Sequence, residues 1–159
     1  MASRIRLTMV TFIGEYLSKL DDKGRLVFPA AFRAALPEGS DTRFVVKKDL
    51  FSPCLEMYTL EEWEKQSAKV TEKLDLTFNP KHAIFWREYT RDRDIVEPDA
   101  KFGRISIRRS LLDAISADKE VVFSGNDFKI EIWAKETFEA SRLSNDEFIA
   151  IAESLSQKQ

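Results

Sequence analysis

The sequence predicts an α+β fold built from two internal repeats whose strands interleave around one shared core. Three observations carry that expectation. The first is a duplication. Gly24-Arg25-Leu26-Val27-Phe28 and the stretch to Leu36 recur 79 residues later as Gly103-Arg104-Ile105-Ser106-Ile107 and the stretch to Ile115. Farther on, Leu55-Glu56-Met57-Tyr58 recurs 75 residues later as Ile130-Glu131-Ile132-Trp133, and Trp63 and Phe138 keep that spacing. Self-similarity in two blocks, in the same order, marks a repeat architecture. The second observation is the alternation of short apolar strands with short helix signals in each copy. The third is size: a half with about four short strands is too small to bury a good core alone, so strands of the two halves are expected to interleave.

Each copy reads in the same order. An extended stretch from Phe12 to Leu20 meets the turn Asp21-Asp22-Lys23-Gly24 and continues as Arg25-Leu26-Val27-Phe28. Asp and Gly there supply the positive-φ position that a hairpin or bulge needs. Pro29 suits the first position of a short helix, Phe32 and Leu36 share one of its faces, and Pro37 with Gly39 ends it. Strands follow at Phe44-Val45-Val46 and Leu55 to Tyr58, and Thr59-x-x-Glu62 reads as a capping box before the helix that carries Trp63. In the second copy the strands are Val121-Val122-Phe123 and Lys129 to Trp133, with a helix from about Lys135. Asn79-Pro80 opens a helical turn around Ala83-Ile84-Phe85-Trp86 in the linker. Ser144-x-x-Glu147 caps a last amphipathic helix with Phe148, Ile151 and Leu155 on one side; residues 157–159 should fray. The division is 11–63 for the first repeat, 64–93 for a helical linker, 94–140 for the second repeat and 141–159 for the C-terminal helix and tail.

Composition narrows the function classes. No apolar run approaches the roughly 18 residues of a membrane span, and the N-terminus lacks the apolar core of a secretory signal. The lone cysteine, Cys54, has no partner for an internal disulfide and suits a reducing compartment. His82 has no Cys/His ligand set around it, and no Gly-rich phosphate loop or serine elbow is present. No enzyme, cofactor, metal or small-molecule substrate is expected. Twenty-five Lys+Arg against 27 Asp+Glu give a net charge of −2. A nucleic-acid binder with that balance must gather its cations on one face. The sequence meets that condition: Lys19, Lys23, Arg25 and Arg33 lie around the first turn. Lys101, Arg104, Arg108 and Arg109 lie around the second, with no acid between Lys101 and Arg109.

These residues resemble the MraZ family, whose fold belongs with the swapped-hairpin barrels of the AbrB and SpoVT type. The resemblance rests on Phe12-Ile13-Gly14-Glu15-Tyr16, Asp21 to Pro29, Cys54-Leu55-Glu56-Met57-Tyr58 and Glu61-Glu62-Trp63-Glu64 in the first half. In the second half it rests on Gly103-Arg104, Lys119-Glu120-Val121-Val122 and Ile130-Glu131-Ile132-Trp133. It implies a pseudo-twofold swapped-hairpin barrel and a family start near Met9. The family's Asp-x-x-x-Arg signature is met by Asp21 and Arg25. In the second half Ala100 takes the aligned acid position, and a one-residue bulge would return Asp99 to it. The resemblance further implies a cytoplasmic, nucleoid-associated transcriptional regulator. It would act as a ring-like homo-oligomer on short direct repeats of double-stranded DNA, usually repressing the division and cell-wall gene cluster, its own promoter included.

The chemistry of such a site follows from side-chain geometry. A twisted two-stranded ribbon enters the major groove, where arginine pairs bidentately with guanine for roughly 1–3 kcal/mol of discrimination. Arg25 and Arg104 are assigned to base or near-base contact, Lys23 and Lys101 to phosphate, Arg109 to the DNA-binding set without a more specific role, and Asp21 to orienting Arg25. The alternative from another class is an antitoxin-like protein–protein module with no DNA contact, which the acidic total charge favours.

Overall fold

A computed structural model of the chain describes residues 10–157. The expected start near Met9 and the fraying expected over 157–159 fall at or beyond those limits. The first half runs β1 (Phe12–Lys19), β2 (Arg25–Val27), α1 (Ala30–Ala34), β3 (Phe44–Lys48), β4 (Leu55–Thr59) and α2 (Leu60–Thr71). After α3 (Pro80–Tyr89) the second half repeats that order. It runs β5 (Asp94–Val96), β6 (Arg104–Ser106), α4 (Arg109–Ala114), β7 (Glu120–Asp127), β8 (Lys129–Ala134) and α5 (Lys135–Ala140), and α6 (Asn145–Ser156) follows.

The two halves interleave, as their size requires. The six-stranded antiparallel sheet has the order β1-β7-β8-β4-β3-β5, and β2 pairs with β6 in a separate ribbon. Exchanging each strand for its counterpart in the other half returns the same order read backwards, so a pseudo-twofold axis relates the halves. That axis passes between Leu26 and Ile105, which face each other in the ribbon, and between Glu56 and Glu131 in the sheet. Both are pairs of repeat-equivalent residues. The cross-pairing is sealed at the turns: Phe28 donates its N–H to the Gly103 carbonyl at 2.8 Å, and its counterpart Ile107 donates to the Gly24 carbonyl at 3.0 Å. The six-stranded ladder itself is open, with β1 and β5 at its edges.

Inward positions of both sheets meet in one core. Leu26 and Ile105 from the ribbon join Phe44, Met57, Phe123 and Ile130 from the sheet, all nearly free of solvent. The Phe28 ring lies 5.2 Å from Phe44 of its own half and 5.9 Å from Phe123 of the other. Phe32 on α1 closes one end, edge-on to Phe12 at 5.6 Å. The outer face of the sheet carries a charged cluster at the axis. Glu56 and Glu131 stand opposite each other, an unfavourable pairing for like charges. Lys129 answers it, with Nζ 2.5 Å from Glu56, 3.6 Å from Glu131 and 3.9 Å from Asp49. Fully buried Lys47 adds a 3.4 Å pair to Glu56 beneath the Tyr89 ring of α3.

Local details refine the expected elements. Pro29 sits at the N-cap of α1, one residue earlier than expected. Arg108, its counterpart before α4, adopts almost the same backbone (φ −56°, ψ 137° against φ −56°, ψ 128°), so the missing proline alters nothing there. Strand β7 runs to Asp127, well beyond Phe123, because β1 supplies a partner along its whole length. Ser144 and Glu147 form the reciprocal capping box, whereas Thr59 caps α2 in one direction alone: the Glu62 carboxylate accepts from Gln66 instead. His82 accepts the Asp75 N–H through Nδ1 and so holds the α2–α3 connection.

Two outcomes test this architecture. A Cβ at Gly125 would lie 2.6 Å from the Phe12 carbonyl carbon and 2.7 Å from the Ile13 nitrogen. Gly125→Ala therefore forces β1 away from β7 and should cost about 1–3 kcal/mol in denaturant titration. Since every strand of one half pairs with the other half, the intact chain should unfold in a single cooperative transition. A chain cut down to residues 11–93 should show none by circular dichroism.

Candidate nucleic-acid interface

The two glycine turns carry the sequence-predicted site. In the first, Asp21 acts as a brace. Its Oδ1 accepts the N–H groups of Lys23 (2.9 Å) and Arg25 (2.8 Å), and its Oδ2 takes the Arg25 Nε at 2.8 Å. Gly24 adopts φ 78°, the left-handed conformation that the turn demands. These bonds, the Arg25 N–H first, hold the Asp21 carboxyl below its ordinary range, so the brace persists at neutral pH and is lost only in acid.

The second turn rebuilds the brace with one extra residue. Asp99, not the aligned Ala100, accepts the N–H groups of Lys101 (3.1 Å), Phe102 (2.6 Å) and Arg104 (2.9 Å). The added residue lengthens the turn rather than forming the bulge expected, and Gly103 keeps the positive φ of Gly24. Hydrogen bonds led by that from the Phe102 N–H likewise lower the Asp99 carboxyl. The two sites differ at the arginine. Arg104 Nε is 3.6 Å from Asp99, too far for a hydrogen bond, and is a buried donor without a partner among the described residues. Its guanidinium instead lies 4.6 Å from the centre of the Phe102 ring.

Strand alternation sets the direction of both arginines. Leu26 and Ile105 point into the core, so Arg25, Val27, Arg104 and Ser106 face outward from the same side of the ribbon. Arg25 and Arg104 are each about one-third exposed and line one open groove of about 600 Å³ with Lys101 and Phe102. Lys23 and Arg109 are exposed but do not line that groove; Arg109 lies 3.9 Å from Asp113 on its own helix.

Two cations stand elsewhere than expected. Arg33, grouped by sequence with the first turn, reaches across to the second: its Nη2 donates to the Asp99 carbonyl at 3.1 Å, and its Nη1 lies where a Cβ on Gly103 would be. The interleaving explains this, since α1 of one half packs on the turn of the other; Leu112 of α4 lies against Gly24 in the same way. Arg108 is met by Asp92 and Asp94 at 4.0 and 3.8 Å, acids distant in sequence that β5 brings alongside. Phe102 was not singled out in the sequence, although an aromatic between a lysine and the Gly-Arg pair, 56% exposed here, was the available signal.

Other chemistry finds little support. Asp49, Cys54 and Glu131 bring ligand-type atoms within 4.8 Å of one another, but the Lys129 ammonium lies between the carboxylates, and burial pushes the Cys54 thiol up. No helix of the described residues is long and apolar enough to cross a membrane.

Comparison with known proteins places this geometry in a family. The family model "MraZ protein, putative antitoxin-like" matches residues 11–83 and 91–158, one match on each half. The chain is 35% identical to a transcriptional regulator MraZ of Bacteroides thetaiotaomicron, over 92% of this chain and 93% of that one. It is 37% identical to the protein of the same name from Desulfitobacterium hafniense, over 91% and 96%, and 37% identical to that of Flavobacterium psychrophilum, over 82% of each. With both interleaved halves matched and relatives 35–37% identical over most of its length, the chain belongs to the MraZ family.

Proposed function

We propose that this chain is a transcriptional regulator that reads double-stranded DNA with its β2–β6 ribbon. The observation that carries the reading is the pair of arginines, Arg25 and Arg104, on one outward face, each beside an aspartate-braced glycine turn. Arg25 is the better base reader because Asp21 fixes its Nε and leaves the terminal nitrogens for guanine O6 and N7. Arg104, held by an aromatic ring rather than a carboxylate, contributes less. Lys23, Lys101 and Arg109 bind phosphate, and the exposed Val27 side chain suits a thymine methyl. The names of the relatives, transcriptional regulators all, support the same function. The crossed pairing, with ribbon and sheet packed on one core, supports a swapped-hairpin barrel.

One ribbon offers few contacts, so affinity must come from number. A cytoplasmic, nucleoid-associated ring of identical subunits, engaging direct repeats spaced roughly 10 bp apart, gains about 10²–10⁴ in avidity. The family resemblance assigns such repeats to the promoter of the division and cell-wall cluster, with repression as the outcome. The antitoxin-like description of the family favours a second reading, a protein–protein module without DNA.

Gel shift on a promoter fragment separates them. Arg25→Ala should weaken binding by about 5- to 150-fold, the equivalent of one lost bidentate contact, while oligomer mass stays constant. Arg104→Ala should weaken it less. Undiminished binding by a folded Arg25→Ala protein rules the site out. Affinity should also fall steeply between 50 and 200 mM salt, as release of phosphate counterions requires; a salt-insensitive complex points to the protein–protein module.

A further inference from the structure

The two ends of the ribbon are built on one plan and finished with different side chains. Gly24, Arg25, Leu26 and Val27 correspond in the repeat to Gly103, Arg104, Ile105 and Ser106, and Lys23, just ahead of its glycine, corresponds to Phe102. Glycine and arginine are the same at both ends, and the inward Leu26 and Ile105 are alike. The remaining positions differ. Cross-strand pairing sets Ser106 opposite Arg25 and Val27 opposite Arg104. One end therefore presents Arg25 with Lys23 and Ser106, and the other presents Arg104 with Phe102 and Val27. The first set is polar throughout. The second flanks its arginine with two apolar side chains, each 56% exposed.

The fold does not ask for these apolar residues. The same positive-φ glycine, aspartate-held turn and outward arginine are made at the other end with a lysine and a serine. A lone exposed hydrophobe is ordinary; two beside one outward arginine, where both counterparts are polar, suit a surface that meets an apolar group. The acids that share the groove with Phe102 are engaged. Asp94 is met by Arg108, Glu97 accepts from the Thr42 hydroxyl, and Asp99 accepts the N–H groups of its turn.

We propose that the Phe102–Arg104–Val27 end of the ribbon selects thymine by its C5-methyl group, while the Arg25 end reads hydrogen-bonding edges alone. That methyl is the apolar substituent a base pair displays in the major groove. The Arg104 guanidinium, 4.6 Å from the Phe102 ring centre, covers one face of the ring. A ring so covered is not free to stack between bases and offers its C–H edge instead. Because the two ends ask for different bases, the site read by one chain has a direction along the duplex, although the backbone that reads it is nearly twofold. The inference rests on the DNA reading above and names a base at one end of the target.

Duplexes that the wild type selects from a random-sequence pool provide the test, titrated at one salt concentration with circular dichroism as the check on folding. Replacing single thymines with deoxyuridine removes the methyl and leaves every base-pair hydrogen bond. At positions toward one end of the site, deoxyuridine should weaken wild-type binding by about fourfold, the worth of one methyl taken out of water. Phe102→Lys with Val27→Ser, each the residue carried by its repeat counterpart, should erase that difference whatever it does to affinity. Arg25→Ala should weaken binding to both duplexes and keep their ratio. A wild type indifferent to deoxyuridine at every position, or a folded Phe102→Lys/Val27→Ser chain that keeps the full ratio, overturns the thymine assignment and leaves DNA binding standing. A folded wild type that selects no duplex overturns the assignment and the DNA reading together.

Discussion

Everything in this molecule depends on the exchange of strands between its halves. Neither repeat completes its sheet alone: beyond the β3–β4 and β7–β8 hairpins, β1 is paired by β7, β2 by β6, β4 by β8 and β5 by β3. The exchange carries each turn onto the body of the opposite half, where the Gly24 and Gly103 carbonyls accept the crossing N–H groups of Ile107 and Phe28. Small half-domains gain a core of single-domain size this way, and the backbone bonds that would otherwise lie open are satisfied. The same exchange aims the site. Because Leu26 and Ile105 meet on the axis and point inward, the arginines on their neighbours have no choice but to point out.

Much of this was legible in the residues. The duplication located both turns, and the Gly-Arg pairs marked the left-handed position and the outward cation together. The four-residue difference between the two repeat offsets belongs to unequal connections downstream of the turns; the residue that lets Asp99 reach its place is a separate insertion before Gly103. What local pattern could not supply was partnership. Arg33 and Arg108 belong to their turns by sequence distance, but α1 crosses to the second turn and β5 brings Asp92 and Asp94 to Arg108. The first departure comes from strand exchange, which sets strangers side by side; the second is a fold-back within the second half, whose β5 lies beside the start of α4. Phe102 escaped notice because an aromatic beside a strand reads as core; only its exposure, and the guanidinium lying on it, give it a part in the site.

The two turns are equivalent in backbone and unequal in chemistry. Arg25 is tied at its Nε by a carboxylate oxygen, which fixes the plane of its guanidinium. Arg104 has the same backbone bond to its aspartate but lacks the side-chain tie, and its Nε remains without a partner. One arm is therefore preorganised and the other adaptable. On the proposed DNA reading, a pair of that kind takes one half of a target strictly and tolerates variation in the other.

The glutamates that face each other on the axis show what tandem fusion makes possible. In a dimer of identical chains, any residue added near such an axis arrives twice, so a lysine set to neutralise the pair would bring a second, competing lysine with it. Here the position equivalent to Lys129 is Cys54, and the Lys129 ammonium bridges both carboxylates while Lys47 pairs with Glu56 alone. Joining the halves in one polypeptide freed each to mutate alone, and the buried centre of the sheet is where that independence was spent.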